Sequence, residues 1–298
     1  MIDQVGLRIC RARTPETHAI DFVWREETSL GTLTVPPDLD NVLEEAWNAA
    51  RRVPGFLVEN EARLLGTLVA CLPRTGAIVE IGSFKGRSTV MLAKVSQRYS
   101  LGSIVAIDPH NFNSVELKEH RTSSDASSFE EFAENLEAAG VSGIVDIRRA
   151  LSTAVIPEWN SPIRLLWIDG DHTYQGAKAD FDGFVPHLVP HGVVAFHDAL
   201  HDFPGPIRVF VEEVLRSSLF GAAGFTNSIA WSQFRPEDGA HFQSARQALE
   251  RVASPLIPLT TEGPGLRGLQ KLRYKLRRSR VPRRAIQPSL LASMLDAE

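Results

Sequence analysis

Ala77-Ile78-Val79-Glu80-Ile81-Gly82-Ser83-Phe84-Lys85-Gly86-Arg87-Ser88 carries the strongest fold signal in the chain. A short apolar run enters a glycine, three residues separate that glycine from a second, and a helical pattern follows. Gly82 permits a tight turn that a ligand can approach, and Gly86 lets a helix start near the strand with its free N–H groups facing that ligand. Four more apolar runs follow at 104–107, 144–147, 165–168 and 193–196. Helical patterns lie between them at 88–97, 129–139 and 174–188, the second opened by the capping pair Ser128 and Glu131. Strands apolar throughout and alternating with helices predict a mostly parallel sheet covered on both faces, a doubly wound α/β core over about 76–235.

Upstream, Leu39, Val42, Leu43, Ala46, Trp47 and Ala50 have helical spacing after Asp38, and Pro54-Gly55 stops them. Ala62, Leu65, Leu68, Val69 and Leu72 predict a second helix. These divide the chain into an irregular leader (1–37), a helical cover (38–72) and a domain (73–253), followed by a linker and basic amphipathic tail (254–298). After Asp198 the pattern predicts a loop holding Pro204-Gly205-Pro206, a helix at 207–217, a strand at 225–234 and a helix at 240–252.

The 298 residues are 43% hydrophobic and 23% charged, which excludes wholesale disorder and collagen-like repeats. With Cys10 and Cys71 as the only cysteines there is no disulfide framework, and no apolar run is long enough to span a bilayer. The first residues lack the order of a secretory signal, so a reducing, cytoplasmic compartment is expected. The net charge of −4 conceals an asymmetry: residues 267–284 carry nine Lys/Arg and no acid, while residues 1–265 hold 23 basic and 34 acidic side chains, a net of −11.

In an open parallel sheet, ligands bind beyond the carboxyl ends of the strands. Three cofactor readings compete for the glycine loop. A dinucleotide fingerprint lacks its middle glycine, because Ser83 and Phe84 stand there; a phosphate loop would need four residues between its glycines and then Lys. Glu80-x-Gly82-x-x-x-Gly86 instead is similar to the first motif of class I S-adenosylmethionine-dependent methyltransferases, and a carboxylate at Glu80 suits a ligand with a cationic amino-acid end. Asp108, 22 residues beyond Gly86, is placed to accept ribose hydroxyls, its alternative being a cap or turn aspartate. Arg148-Arg149-Ala150-Leu151-Ser152 could border an adenine edge.

The fourth and fifth runs end in Asp169-Gly170-Asp171-His172-Thr173-Tyr174 and His197-Asp198. Adjacent strands lie about 4.8 Å apart, so Asp169 and Asp198 could share one divalent cation with His197 as third ligand. Such an ion lowers the pKa of a bound hydroxyl, and Asp171 or His172 could take the proton. Against this, a single aspartate after a strand is a helix cap more often than a ligand, and His197 could be a packed histidine.

Glu80-Ile81-Gly82-Ser83 with Gly86-Arg87-Ser88-Thr89, then Ile168-Asp169-Gly170-Asp171-His172-Thr173-Tyr174 and Gly192-Val193-Val194-Ala195-Phe196-His197-Asp198, resemble methyltransferase family 24 of the class I methyltransferases. That family is similar to sugar O-methyltransferases of the macrolide and aminocoumarin type and to the cephalosporin hydroxylase-like group. The likeness covers about 55–200. It implies a seven-stranded Rossmann-like fold, with S-adenosylmethionine held by Glu80, Gly82, Ser83, Gly86, Ser88, Asp108 and Asp169. It also implies magnesium on Asp169 and a pair of acids after the fifth strand, and a base at Asp171. Here the acid pair reads His197-Asp198, which leaves open a weaker magnesium site, another divalent metal, or metal-free catalysis by a histidine base.

The expected activity is O-methylation of a hydroxyl on a small molecule or saccharide. The rivals are a nicotinamide-dependent oxidoreductase and a lapsed cofactor-binding or assembly module. The polar stretch 111–127 reads as a loop covering the substrate. No nucleic-acid partner is expected, because the domain carrying the site is acidic, and a homo-oligomer remains open. Leu266, Leu269, Leu272 and Leu276 recur at helical spacing in the basic tail. Such a tail could make peripheral contact with the inner membrane surface, its alternative being a solvated tail.

Overall fold

The computed structural model describes residues 33–111, 127–263 and 265–297. Most of the leader and most of the 111–127 stretch lie outside them, as does Cys10.

Helices α1 (Leu39–Ala50) and α2 (Glu59–Cys71) precede the sheet. Then β1 (Ala77–Ile81), α3 (Arg87–Tyr99), β2 (Ile104–Ile107), α4 (Phe129–Ala138), β3 (Val145–Arg148), the short α5 (Ser152–Val155) and β4 (Ile163–Ile168) follow. They are succeeded by α6 (Tyr174–Phe184), β5 (Leu188–Phe196), α7 (Pro204–Val209), β6 (Phe220–Thr226), β7 (Ile229–Phe234), α8 (Gln243–Ala253), α9 (Gly268–Arg278) and α10 (Pro288–Leu295). The sheet has seven strands in the order β3-β2-β1-β4-β5-β7-β6. β1 to β5 run parallel; β7 pairs antiparallel with both β5 and β6. This is the seven-stranded, doubly wound arrangement that the resemblance implies, and the chain order reverses between β1 and β4, where an open α/β sheet leaves its crevice.

Both faces are covered, so successive strand residues feed different cores. Ile78, Ile104, Leu165, Trp167, Val193 and Ala195 pack under α1, α2 and α3. Val79, Val105, Leu166, Ile168, Val194 and Phe196 pack with α6, α7 and the residues after them. This period of two inside uniformly apolar runs is what a doubly covered sheet demands.

Two expectations are corrected. The strand predicted over 225–234 is a hairpin, β6 and β7, because Asn227 takes the left-handed conformation at φ +52° and reverses the chain. Asn tolerates that region better than most residues. The predicted loop at Pro204-Gly205-Pro206 is the first turn of α7, where a fixed proline φ and a missing N–H do no harm. A π-helical turn, Phe210–Leu215, continues it.

Beyond Ala253 the chain folds back. Ser254–Leu259 buries Leu256, α9 buries Tyr274, and α10 inserts Leu291 and Leu295 into the first core beside α2 and β6.

Candidate active site

The backbone ladder runs one residue past the strands. Asp108 N–H donates to Arg148 O, Gly82 N–H to Ile107 O, Asp169 N–H to Ile81 O and His197 N–H to Ile168 O, at 2.8–3.1 Å. Asp108, Gly82, Asp169 and His197 therefore stand in one row at the carboxyl ends of β2, β1, β4 and β5.

Gly82 has φ +87°, and a Cβ there would lie 2.2 Å from the Asp169 carbonyl oxygen. The chain after β4 makes the close approach that this glycine admits. Gly86, at φ +94°, is the N-cap of α3 and makes room for Phe132.

Asp108 accepts N–H bonds from Ser83 and Phe84 on Oδ2, both 2.8 Å, and from His110 on Oδ1 at 2.6 Å. A carboxylate has about four lone-pair sites, of which two here clamp the glycine loop and a third holds His110. The ribose contact expected of it is left at most one site.

Glu80 is fully buried. Burial pushes its carboxyl up to about 7, opposed by the Ser88 and Thr89 hydroxyls and assisted by the charge of Asp169. Thr89 Oγ1 donates to Oε2, while Oε1 and the nearby Ser83 hydroxyl are buried without a hydrogen-bond partner among the described residues. Orphaned polar atoms of this kind cost about 1–3 kcal/mol each, and a ligand bringing an ammonium group would satisfy them. The residues present thus fit the amino-acid end of S-adenosylmethionine. Ser88 is buried in the first turn of α3 on the same side.

At β4 and β5, Asp169 Oδ1 lies 3.0 Å from His197 Nδ1 and 3.6 Å from His172 Nε2. Asp198 Oδ2 lies 3.8 Å from His172 Nε2; its Oδ1 lies 3.4 Å from His197 Nδ1 and 3.1 Å from His201 Nδ1. Asp198 itself is left-handed at φ +52°. The His172 ring stacks on Phe203, centroids 4.8 Å apart, and Gly205 N–H donates to His172 O.

His197, expected as the third ligand, lies between two carboxylates. Its Nε2 faces Glu61 Oε2 at 3.3 Å while Nδ1 faces Asp169. Burial alone would drive the ring neutral, but the charges of Asp169 and Asp198, with bonds to Asp169 and Glu61, hold it well above its ordinary pKa. Both ring nitrogens of His197 thus serve carboxylates. The group that could hold an ion is Asp169, His172 and Asp198, whose ligand atoms lie within 4.8 Å of one another. Two oxygens and an imidazole nitrogen suit a borderline divalent ion, so the donor set fits. Asp169 is lowered, His197 and His172 outweighing the upward push of its burial.

Asp171 is exposed; its Oδ1 accepts the Thr173 N–H at 2.8 Å. The side chain covers the first turn of α6, where only a glycine at 176 leaves room. Thr173 is the N-cap, its Oγ1 accepting Gly176 N–H.

Glu61 went unread in the sequence. It is buried on α2; Oε1 accepts bonds from Asn227 Nδ2, Ser228 N–H and Ser228 Oγ, and Oε2 from Val58 N–H. Burial alone would raise its carboxyl, yet the bond and charge from His197, with Ser228 and Val58, bring it to about 2. The available signal was an acid on the apolar stripe, four residues before Leu65. Phe203 and His201 had no comparable signal, because only the turn after Asp198 brings them to the site.

Residues 79–199 match the family described as a methyltransferase domain, methyltransferase family 24. The O-methyltransferase NovP is similar in structure, with a TM-score of 0.50 at 15% identity over 66% of this chain and 98% of that one. A putative O-methyltransferase from Klebsiella pneumoniae has a TM-score of 0.46 at 18% identity, over 68% and 91% of the two chains. An uncharacterized protein, y4gI, of Sinorhizobium fredii strain NBRC 101917 / NGR234 is 40% identical over 52 residues. That match spans 17% of this chain and 6% of that protein. The NovP likeness establishes the fold alone, and the family match sets the dinucleotide reading aside.

Proposed function

We propose that the protein, whose residues 79–199 match the methyltransferase domain of family 24, is an S-adenosylmethionine-dependent O-methyltransferase acting on a hydroxyl of a small molecule or saccharide. The observation that carries the reading is the meeting of Asp169, His172 and Asp198 at the switch point of the sheet, beside the glycine loop. Class I membership supports the donor, and the orphaned Glu80 Oε1 and Ser83 hydroxyl are where its ammonium end would be held.

The charge balance favours a cation. Glu61, Asp169 and Asp198 surround one imidazolium, His197, and leave the cluster with negative charge in excess. The gaps from His172 to both aspartates are too long for hydrogen bonds and suit ligands sharing an ion. A divalent ion on Asp169, His172 and Asp198 would supply the positive charge that lowers the pKa of an acceptor hydroxyl. Asp171 retains Oδ2 to take the proton, with Oδ1 fixed by Thr173. His197 does not act as the base; its two N–H groups hold Asp169 and Glu61 in place.

The test is methyl transfer from labelled S-adenosylmethionine in extracts, with the product found by mass spectrometry. Asp169→Ala and Asp198→Ala should each abolish transfer while S-adenosylhomocysteine still binds; wild-type turnover in either would remove the pair from the site. Transfer should stop in chelator and return with added divalent ion. Full activity in chelator would leave His172 as base without an ion.

A further inference from the structure

Helix α9 is docked with its apolar stripe facing out. Tyr274 is buried, its hydroxyl donating to His201 O, and Arg278 Nη1 donates to Leu200 O at 3.1 Å. Just before the helix, Leu266 N–H donates to Asp202 Oδ2 at 2.7 Å. On the opposite side Leu269, Leu272 and Leu276 are 78%, 53% and 60% exposed. At 3.6 residues per turn these leucines share an arc of about 60°. Arg273 and Arg277 border the stripe on one side and Lys275 on the other, all exposed.

We propose that this face of α9 is a docking surface for an anionic lipid bilayer. The argument is charge complementarity joined to shape. An apolar stripe between two basic margins matches the layering of acyl chain and acidic headgroup, and a helix lying in the interface buries such a stripe. Each Lys or Arg near an anionic surface adds attraction. Nine basic residues and no acid lie in 267–284, on a chain whose first 265 residues carry a net −11. The acidic body is repelled by the same surface, so the protein is oriented as well as held. A second copy would set basic margin against basic margin, and a nucleic-acid backbone would meet leucines where it needs cations.

The helix is tied to Leu200, His201 and Asp202, the residues that directly follow Asp198. On the methyl-transfer reading, on which this clause rests, the docked face and the acceptor site then share one loop.

The test is flotation of the full-length protein with vesicles of phosphatidylcholine alone and of phosphatidylcholine mixed with phosphatidylglycerol. Binding is expected to the mixed vesicles, declining as salt is raised, and to be about tenfold or more weaker in the double variant Leu272→Ser/Leu276→Ser. Both positions are exposed, so the variant should keep the wild-type Tm. Four results would each overturn the proposal: no binding to the mixed vesicles, equal binding to both kinds, a double variant that floats like wild type, or a wild-type dimer in solution that the variant dissociates without any lipid effect. None depends on turnover, so the docking can fail while the methyltransferase reading stands, and the reverse.

Discussion

His197 keeps its proton where burial alone would remove it, because Asp169, Asp198 and Glu61 surround it. The sign of each contribution follows. Glu61 has a folded pKa depressed to about 2, so its contribution is full above its ordinary 4.5 and is lost as pH falls toward 2. His197 is raised, so its contribution is full below its ordinary 6.5 and is lost as pH climbs through the folded value. Between pH 4.5 and 6.5 both are present. Glu61→Gln should therefore destabilise most in that window, by about 3 kcal/mol, as removal of one partner from a buried ion pair does. Urea unfolding of wild type and variant from pH 3 to 8 checks it, about 3 and 8 being the accessible limits either side of the window. Glu80 behaves oppositely. Its carboxyl is raised to about 7, so it is largely protonated at pH 6, and a cationic ligand must ionise it. S-adenosylmethionine should bind about tenfold more tightly at pH 8 than at pH 6, and Glu80→Gln should flatten that difference in calorimetric titration. Neither residue's state was legible in the sequence. Glu80 was visible as an acid before a glycine turn, but its burial depends on α3; Glu61 was visible only as an acid among apolar residues.

At the scale of the element, the strand pattern was largely legible because burial on both faces leaves uniformly apolar runs of defined length. β1 and β2 fall where predicted, and β3 is displaced by one residue, since Ile144 ends a 3-10 turn. The hairpin β6–β7 was not legible, because Asn227-Ser228 is a short reversal between two equally apolar strands. The glycine loop was legible as a turn, but the packing of Gly82 against the chain after β4 was not. Gly82→Ala tests that packing. It combines a positive φ with a Cβ against the Asp169 backbone, whereas Gly102 has φ +93° and open space around it. Gly102→Ala should cost about 1 kcal/mol from backbone conformation alone. Gly82→Ala should cost clearly more, because its Cβ would meet the Asp169 backbone, and is read as a lower urea denaturation midpoint than that of Gly102→Ala.

Across the whole molecule, the two cores are unequal in how they are closed. The second is built mainly from β strands, α6, α7 and the residues after them. The first includes Leu291 and Leu295 of α10, and its seal is tightened by Gln233 Nε2 donating to Leu295 O at 2.8 Å and Arg235 Nη1 to Ala297 O at 2.6 Å. Leu291→Ala or Leu295→Ala should each cost about 2–5 kcal/mol, measured by urea unfolding, because each leaves a cavity in a core that α2 also lines. Glu61, on α2, would then lose part of its support without being touched. This arrangement has a consequence for the order of events during synthesis. Residues 291–297 emerge from the ribosome after every strand of the described sheet, so α2 and β6 lack their α10 cover until those residues arrive. Glu61 on α2, and with it the His197 cluster, gains that support only then, so cofactor capture should follow the emergence of α10 rather than that of the last strand.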